Sequence, residues 1–394
     1  EEIRQTQGLP VLTFSINCPG TEKNSISVRK LLRHAVDIFH NLAAAREIAI
    51  QEERIFYPST GPFALMAADA ETSLLKKLAV QIEDLPDYGR LLDVDVYDAA
   101  GRQWSRTDFI LPLRSCFLCD NTAITCMREK RHTGEEIGLE FQRRLALFNV
   151  RNNTHCSSET RKIGQSATEA MLMEAACTPA PGLVDRINSG AHRDMDFFTF
   201  MKSTSALADT MTHCAIAGWN HNGPPAALWP VLRSIGREGE RRMFQSTQGV
   251  NTQKGLIFLM GLLCAATARI RRRSDLPTAE SICREVAGLC DGMVSRELEP
   301  LLTQEPLGPL TAGERLYVNH RVTGIRGEVE KGLPSALEHG LPCLRQAMAG
   351  GLSLNDALVH TLMTLMTVVE DTTILHRHDP ATLLYVQEQA RCTL

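Results

Sequence analysis

Two domains are predicted, an α+β domain followed by an all-α domain, on three observations. The 394 residues exceed the size at which a single hydrophobic core usually stops growing. Short β-rich runs are confined to the first part of the chain, whereas nearly everything after Leu139 carries helical spacing. Between the two textures lies a polar stretch at 151–161, RNNTHCSSETR, with the composition of a connection. The expected layout is therefore an α+β domain at 1–150, a linker at 151–164 and a helical domain at 165–394.

The elements follow in order. Val11–Asn17 (VLTFSIN) is β-rich and stops at the turn Cys18–Pro19–Gly20. Val28–Gln51 has helical spacing with one slip. Arg90–Tyr97 (RLLDVDVY) reads as a buried strand, the turn Asp98–Gly101 follows, and Phe109–Leu113 reads as a second short strand. Glu135–Phe148 is helical. Ser166 and Glu169 have the spacing of a capping box, which predicts a helix over Ala167–Cys177 that must stop before Pro179. Leu256–Ala268 and Leu362–Val369 read as buried helices, each too short for the ~20 apolar residues of a membrane span.

Composition narrows the class of protein. A net charge of −4 predicts no broad attraction to nucleic acid or to a membrane. Twelve cysteines without framework spacing suit a reducing cytoplasm.

In the first domain, Asp93 and Asp95 are two apart in a strand, so their carboxylates point to the same face. Burying two like charges together is costly unless a cation neutralises them. Mg²⁺ bridging to phosphates is the natural partner and gives the domain a nucleotidyltransferase-like character. A solvent-facing edge strand is the other reading. Cys116, Cys119, Cys126 and His132 together could complete a tetrahedral Zn²⁺ shell opened by a C-x2-C knuckle. Thiols merely buried in a turn are the alternative there.

The helical domain contains a long segment with neither helical nor strand periodicity, Thr178–Asp196 (TPAPGLVDRINSGAHRDMD). Long connections of this kind inside a compact domain are usually functional or linkers, and this one is not of low complexity. Asp185, Asn188, His192, Asp194 and Asp196 form its candidate binding or catalytic set. Thr247–Gly255 (TQGVNTQKG) precedes a helix, so Asn251, Lys254 and the backbone N–H groups there suit a phosphate. Arg326 between two glycines is a candidate anion clamp. Glu370 and Asp371 read as carboxylates at a helix C-terminus, where they oppose the dipole, with Arg377 close behind. Arg269–Arg273 reads as a solvated helix end.

These motifs resemble a known pair of enzymes. EAACTPAPGLVDRINSGAHRDMD, QGVNTQKGLIFLMGLLCAA, GIRGEVEKGLP and EDTTILHR are similar to triphosphoribosyl-dephospho-coenzyme A synthase, in family order over roughly 165–394. NCPGTEKNS, RLLDVDVYDAAGRQWSR and SCFLCDNTAITCMREKRH resemble apo-citrate lyase phosphoribosyl-dephospho-coenzyme A transferase over roughly 1–150. The whole resembles the fused bifunctional form. The resemblance implies synthesis of 2′-(5″-triphosphoribosyl)-3′-dephospho-coenzyme A from ATP and 3′-dephospho-coenzyme A with loss of adenine. It then implies transfer to a serine of the citrate lyase acyl carrier (gamma) subunit with loss of diphosphate. It implies Mg²⁺ at Asp93 and Asp95 with Arg90 and Arg114 near the diphosphate. In the helical domain it implies Mg²⁺ or acid–base work for Asp185, Asp194 and Asp371, and phosphate contacts for Lys254, Arg326 and Arg377. The chain departs from the family pattern at Gln253 (usually histidine), Gln248 (glycine), Ala180 (lysine) and Ser115 (arginine). A malonate decarboxylase carrier, an ADP-ribose-like glycohydrolase and a non-catalytic, zinc-stabilised docking module are the alternatives.

Overall fold

A computed structural model describes residues 8–20, 23–152, 157–273, 276–303 and 308–394. The chain divides into two compact units, Glu1–Asn153 and Thr154–Leu394. The first is a small antiparallel sheet with helices and the second is mostly helical.

In the first unit the strands are β1 (Val11–Ile16), β2 (Ala49–Phe56), β3 (Phe63–Asp69), β4 (Leu92–Tyr97) and β5 (Gln103–Trp104). They form one sheet in the order β2-β3-β1-β4-β5, every neighbour antiparallel. Helices α1 (Ile26–Ala44) and α2 (Thr72–Glu83) cover one face. There Leu12 and Phe14 of β1, Met66 of β3, and Val94 and Val96 of β4 join Leu31, Phe39, Leu78 and Ile82 in the core. The opposite face is only lightly covered, with Val11, Leu65 and Ala67 as a small apolar patch. A short helix, α3 (Ala123–Arg128), and a long one, α4 (Gly134–Arg151), complete the unit, the latter started by a capping box between Thr133 and Glu136.

Three sequence expectations change here. The helix predicted to Gln51 ends at Ala44, and Ala49–Phe56 is instead the strand β2, at the edge of the sheet and paired, among the described residues, only with β3. Ala49 and Gln51 favour helix locally, and cross-strand pairing with β3 overrides that preference. Phe109–Leu113 is not a strand: Thr107–Phe109 is a 3₁₀ turn and Ile110 has φ 56°. Pro112 lacks the N–H a ladder needs, and Gln103–Trp104 takes the pairing with β4 through a turn at Gly101, φ 88°. The linker expected at 151–164 is mostly helix, since α4 runs to Arg151 and α5 begins at Ser158 with Ser157 as N-cap. Its residues 153–156 lie outside the described residues.

The second unit is built around α6 (Phe197–Asn220), which packs along α5 (Ser158–Ala176), α7 (Trp229–Ser246) and α8 (Lys254–Arg272). Small residues set the spacing. A Cβ at Gly164 would lie 2.2 Å from Thr212 Oγ1, and one at Gly218 would lie 2.2 Å from the Ala265 carbonyl oxygen. Helices α9 (Ala279–Leu289), α10 (Met293–Glu297), α11 (Ala312–His320) and α12 (Gly324–Glu330) follow. A π-wound turn at Ser335–Gly340 then leads into α13 (Leu341–Ala349), α14 (Leu354–Met366), α15 (Thr372–Arg377) and α16 (Pro380–Thr393). Arg269 is not a solvated helix end. It is buried, bonding Glu285 at 2.5 Å and the carbonyls of His221 and Gly223.

Candidate functional site

The strand alternation decides where the acidic pair points. Leu92, Val94 and Val96 face the helices, so Asp93 and Asp95 face the open side of the sheet. There they stand in register with Ser15 and Thr13 of β1. They line a cleft of about 850 Å³ together with Lys76, Arg90, Arg106 and Arg114. Asp93 accepts from Arg114 Nη1 at 2.6 Å, and Asp95 accepts from Gln103 Nε2 at 2.8 Å. Burial, and then the charge of Asp93, hold the Asp95 carboxyl above its ordinary range, while the Gln103 bond opposes the rise.

Beside the pair sits a hub of charge. β5 is too short to pair the middle of β4, which leaves the Val94 N–H to another acceptor. Glu83, the last residue of α2 and 4 % exposed, takes it at 3.0 Å. The same carboxylate accepts from Arg106 Nη2 at 2.6 Å and lies 3.9 Å from Arg114 Nη1. Arg90 lines the cleft nearby, its guanidinium 6.0 Å from the centre of the Phe117 ring. Its Nε and Nη1, like Nε of Arg114, are buried and lack a hydrogen-bond partner among the described residues. Burial, then the charges of Arg114 and Arg144, pull the Arg90 guanidinium down to about 10. Cationic N–H groups this crowded and unpaired call for a multiply charged anion.

The cysteines and the histidine come together. The candidate ligand atoms of Cys116, Cys119, Cys126 and His132 all lie within 4.8 Å of one another. Cys119 Sγ is 3.4 Å from both Cys126 Sγ and His132 Nε2. Cys116 accepts the Leu118 N–H, as a C-x2-C knuckle does. The Asn121 backbone N–H, then Cys126 and His132, bring the Cys119 thiol down to about 6, while burial and the adjoining thiols push Cys126 up to about 12. Without a cation the group cannot carry three thiolates. The cluster can hold a metal, and its wall adjoins the acidic cleft through Phe117, Ala123 and Met127.

In the helical unit the expected residues fall into three groups. The first is the loop between α5 and α6. Asp185, 2 % exposed, accepts from the backbone N–H of Ala180 (3.1 Å), Ile187 (2.7 Å) and Asn188 (2.8 Å) and from the Asn188 side chain. Asn188 in turn accepts from Gly190 N–H, and Thr178 is clasped by Asn355 at the start of α14. Asp185 therefore holds the loop's shape, with its oxygens engaged by that network. Its carboxyl is kept low by those backbone N–H bonds, Asn188 first. His192 is half-buried, Asp194 is exposed, and Asp196 caps α6. The second group is Lys254, paired with Glu240 at 3.1 Å at the start of α8, with Asn251 accepting from the Lys254 N–H. Gln253, only 3 % exposed, accepts from Ser203 at 2.6 Å and exchanges bonds with Thr204. The third group is Arg326, held by Glu297 at 3.0 Å and near Glu314 at 3.8 Å.

Asp371 departs from expectation. α14 stops at Met366, and Asp371 is the N-cap of α15, accepting from Thr373 and Ile374 N–H. Its charge thus favours the helix dipole it touches. Gly324, two residues before Arg326, lies against Thr372, so the first residues of α12 and α15 are neighbours. Arg377 closes α15 on the exposed side.

Residues 160–394 match the family model for ATP:dephospho-CoA triphosphoribosyl transferase, and residues 1–147 match that for apo-citrate lyase phosphoribosyl-dephospho-CoA transferase. A protein of Haemophilus influenzae called CitXG is 30 % identical over 98 % of this chain and 81 % of its own length. The chain belongs to the fused CitXG family. The CitXG protein of Leuconostoc mesenteroides subsp. cremoris is 28 % identical over 95 % of this chain and 79 % of its own. A probable 2-(5''-triphosphoribosyl)-3'-dephosphocoenzyme-A synthase of Vibrio cholerae serotype O1 is 41 % identical over 59 % of this chain and 73 % of that protein. As a CitXG member the protein is a bifunctional transferase of citrate lyase prosthetic-group synthesis, with a synthase half and a transferase half. The transferase family implies an acyl carrier protein as partner. Among the described residues no helix is long and apolar enough to cross a membrane.

Two residues of the cleft escaped sequence reading. Glu83 and Lys76 lie outside every motif and meet the Asp pair only through the fold, whereas Arg106 closes the segment RLLDVDVYDAAGRQWSR, whose basic residues suit phosphates. Arg102 and Arg106 are alike in sequence, both close behind the strand. Only Arg106 turns inward to Glu83 and Asp84, while Arg102 bonds exposed Asp108.

Proposed function

We propose that the first unit performs the transfer step in the cleft above Asp93 and Asp95, and that the helical unit makes the compound transferred. The side chains of Arg90 and Arg114, lining one cleft with two carboxylates, carry this reading. In the transfer, the acceptor serine Oγ of the citrate lyase gamma subunit attacks the phosphorus nearest the ribose. A serine O–P bond forms, the P–O bond to diphosphate breaks, and the serine proton departs. Arg90 and Arg114 bind the leaving diphosphate, and Glu83 holds the Arg106 and Arg114 side chains in place. Asp93 and Asp95 offer the hard oxygens that suit Mg²⁺, and Asp95, raised by burial and by its neighbour, lacks a full countercharge. When bound, that ion would neutralise charge on the phosphates. Paired carboxylates, cation and arginines make the unit nucleotidyltransferase-like in chemistry.

Cys116, Cys119, Cys126 and His132 would hold Zn²⁺, their soft donors fitting that ion rather than Mg²⁺. In the helical unit, ATP and 3′-dephospho-coenzyme A are the substrates. The 2′-hydroxyl of dephospho-coenzyme A displaces adenine from the ribose C1′ of ATP. Lys254, Arg326 and Arg377 serve the triphosphate, which replaces Glu240 and Glu297 as partner of the first two. Asp194 and Asp371 are assigned to the metal or to acid–base work, and Asn188, His192 and Asn251 to orienting the nucleotide. Asp185 acts by holding the loop.

The test uses the full-length protein, ATP, Mg²⁺, dephospho-coenzyme A and the apo carrier. Adenine release is followed by chromatography and carrier modification by intact mass. Asp93→Ala abolishes the mass increase and leaves adenine release. Asp185→Ala suppresses adenine release, and carrier modification recovers when the intermediate is supplied. Loss of both activities in both folded variants refutes the division.

A further inference from the structure

The acceptor in the proposed transfer is a protein, so part of the cleft's rim must receive a folded surface. Helix α3 has the anatomy for it. Its inner side carries Cys126, buried and 3.4 Å from Cys119 in the Cys–His cluster, which braces the helix from within. Its outer side places Ile124 and Met127, 46 % and 74 % exposed, on the rim of the cleft that holds Asp93 and Asp95. Leu113 is exposed beside them on the same rim. Exposed apolar side chains gathered on a rigid base mark interaction surfaces.

The charge next to this apolar strip is positive. Arg128 and Lys130 are exposed and enter no ion pair among the described residues, whereas Arg131 is paired with Glu129. The diphosphate already has deeper partners in Arg90 and Arg114, so these outer cations are left for something larger. We infer that the outer face of α3, with Ile124 and Met127 at its centre and Arg128 and Lys130 at its edge, is the docking surface for the carrier subunit. The face it receives is acidic with an apolar centre, next to the acceptor serine. This rests on the transfer reading above.

The experiment measures steady-state transfer by the full-length protein, with supplied triphosphoribosyl-dephospho-coenzyme A and purified apo carrier, read by intact mass. The variants are Met127→Glu and the double variant Arg128→Glu with Lys130→Glu, and Arg46→Glu is the control on an exposed cation away from the rim. The docking variants are expected to raise KM for the carrier about tenfold or more, with KM for the small substrate within about twofold. Their zinc content and adenine release stay as in the parent protein. Raising salt weakens carrier binding in the parent and has little effect in the double variant. An unchanged carrier KM overturns the inference, and so does a rise in the small-substrate KM instead, which would give these cations to the phosphates. Failure of the parent protein to modify the carrier at all sinks the transfer reading itself, and the docking surface with it.

Discussion

Glu83→Ala should loosen the strand that carries the acidic pair, and the cost can be worked from its contacts. Removing the carboxylate leaves the Val94 N–H, now bonded at 3.0 Å, without an acceptor. An orphaned buried donor costs about 1–3 kcal/mol. Arg106, whose side chain is 10 % exposed, loses a 2.6 Å partner and keeps Asp84, which is largely solvated, and the Pro112 carbonyl at 3.4 Å. Breaking a buried pair from one side costs about 3–5 kcal/mol, here reduced by the surviving contact. The sum is about 4 kcal/mol, which should speed exchange of the Val94 amide about a thousandfold. Glu83→Gln keeps an acceptor for Val94 but turns an amide NH2 toward Arg106, losing the charge and that one bond, about 2 kcal/mol, hence about thirtyfold. Hydrogen exchange resolved to the peptide spanning β4 measures both. Because Val94 lies between Asp93 and Asp95, the alanine variant should also slow carrier modification about a hundredfold, with adenine release intact. Exchange at Val94 in Glu83→Ala within about threefold of the parent protein would show that the hub does not hold the strand.

Three further outcomes follow from the same contacts. The Asp95 carboxyl is raised in the folded state, so its ionisation opposes folding as pH rises above the unfolded carboxylate value of about 4. Asp95→Asn should therefore raise the melting temperature of the metal-free protein at neutral pH, with no gain below pH ~4, and should weaken Mg²⁺ binding; an unchanged or lowered melting temperature at pH 7 contradicts the buried-charge account. The protein should contain about one zinc per chain by elemental analysis, lost in Cys119→Ser, with carrier modification falling and adenine release retained. Asp185→Asn can still accept from Ile187 and Asn188 N–H, but it turns an amide toward the Ala180 N–H. It should keep about a tenth of the adenine-release rate, against about a hundredth for Asp185→Ala, and equal losses would point to direct chemistry by the carboxylate.

Much of the site was legible wherever a local period carries the information. Alternation along LDVDVY is enough to put Asp93 and Asp95 on one face, because strand side chains alternate whatever surrounds them. The spacing of Cys116, Cys119, Cys126 and His132 pointed to a candidate ligand set, whose donor atoms the fold brings within 4.8 Å of one another. The loop at Thr178–Asp196 was recognisable as irregular but built, yet the partners of Asp185 within it were not, since they are mostly backbone N–H groups. Asp371 was misplaced because the apolar run Leu362–Val369 continues past the true helix end at Met366. The N-cap role depends on where the next helix begins.

The sequence by itself determined the two textures of the chain, the facing of the acidic pair and the grouping of the three cysteines with His132, all set by neighbours a few residues apart. Only the tertiary structure decided that Ala49–Phe56 is an edge strand, that Glu83 closes the gap left by a two-residue β5, and that Arg90 and Arg114 keep buried N–H groups without a partner among the described residues. The reason is physical. Pairing, burial and unsatisfied donors are properties of what the chain brings together from a distance, and no local pattern encodes which hydrogen-bonding groups remain unmatched once it has folded.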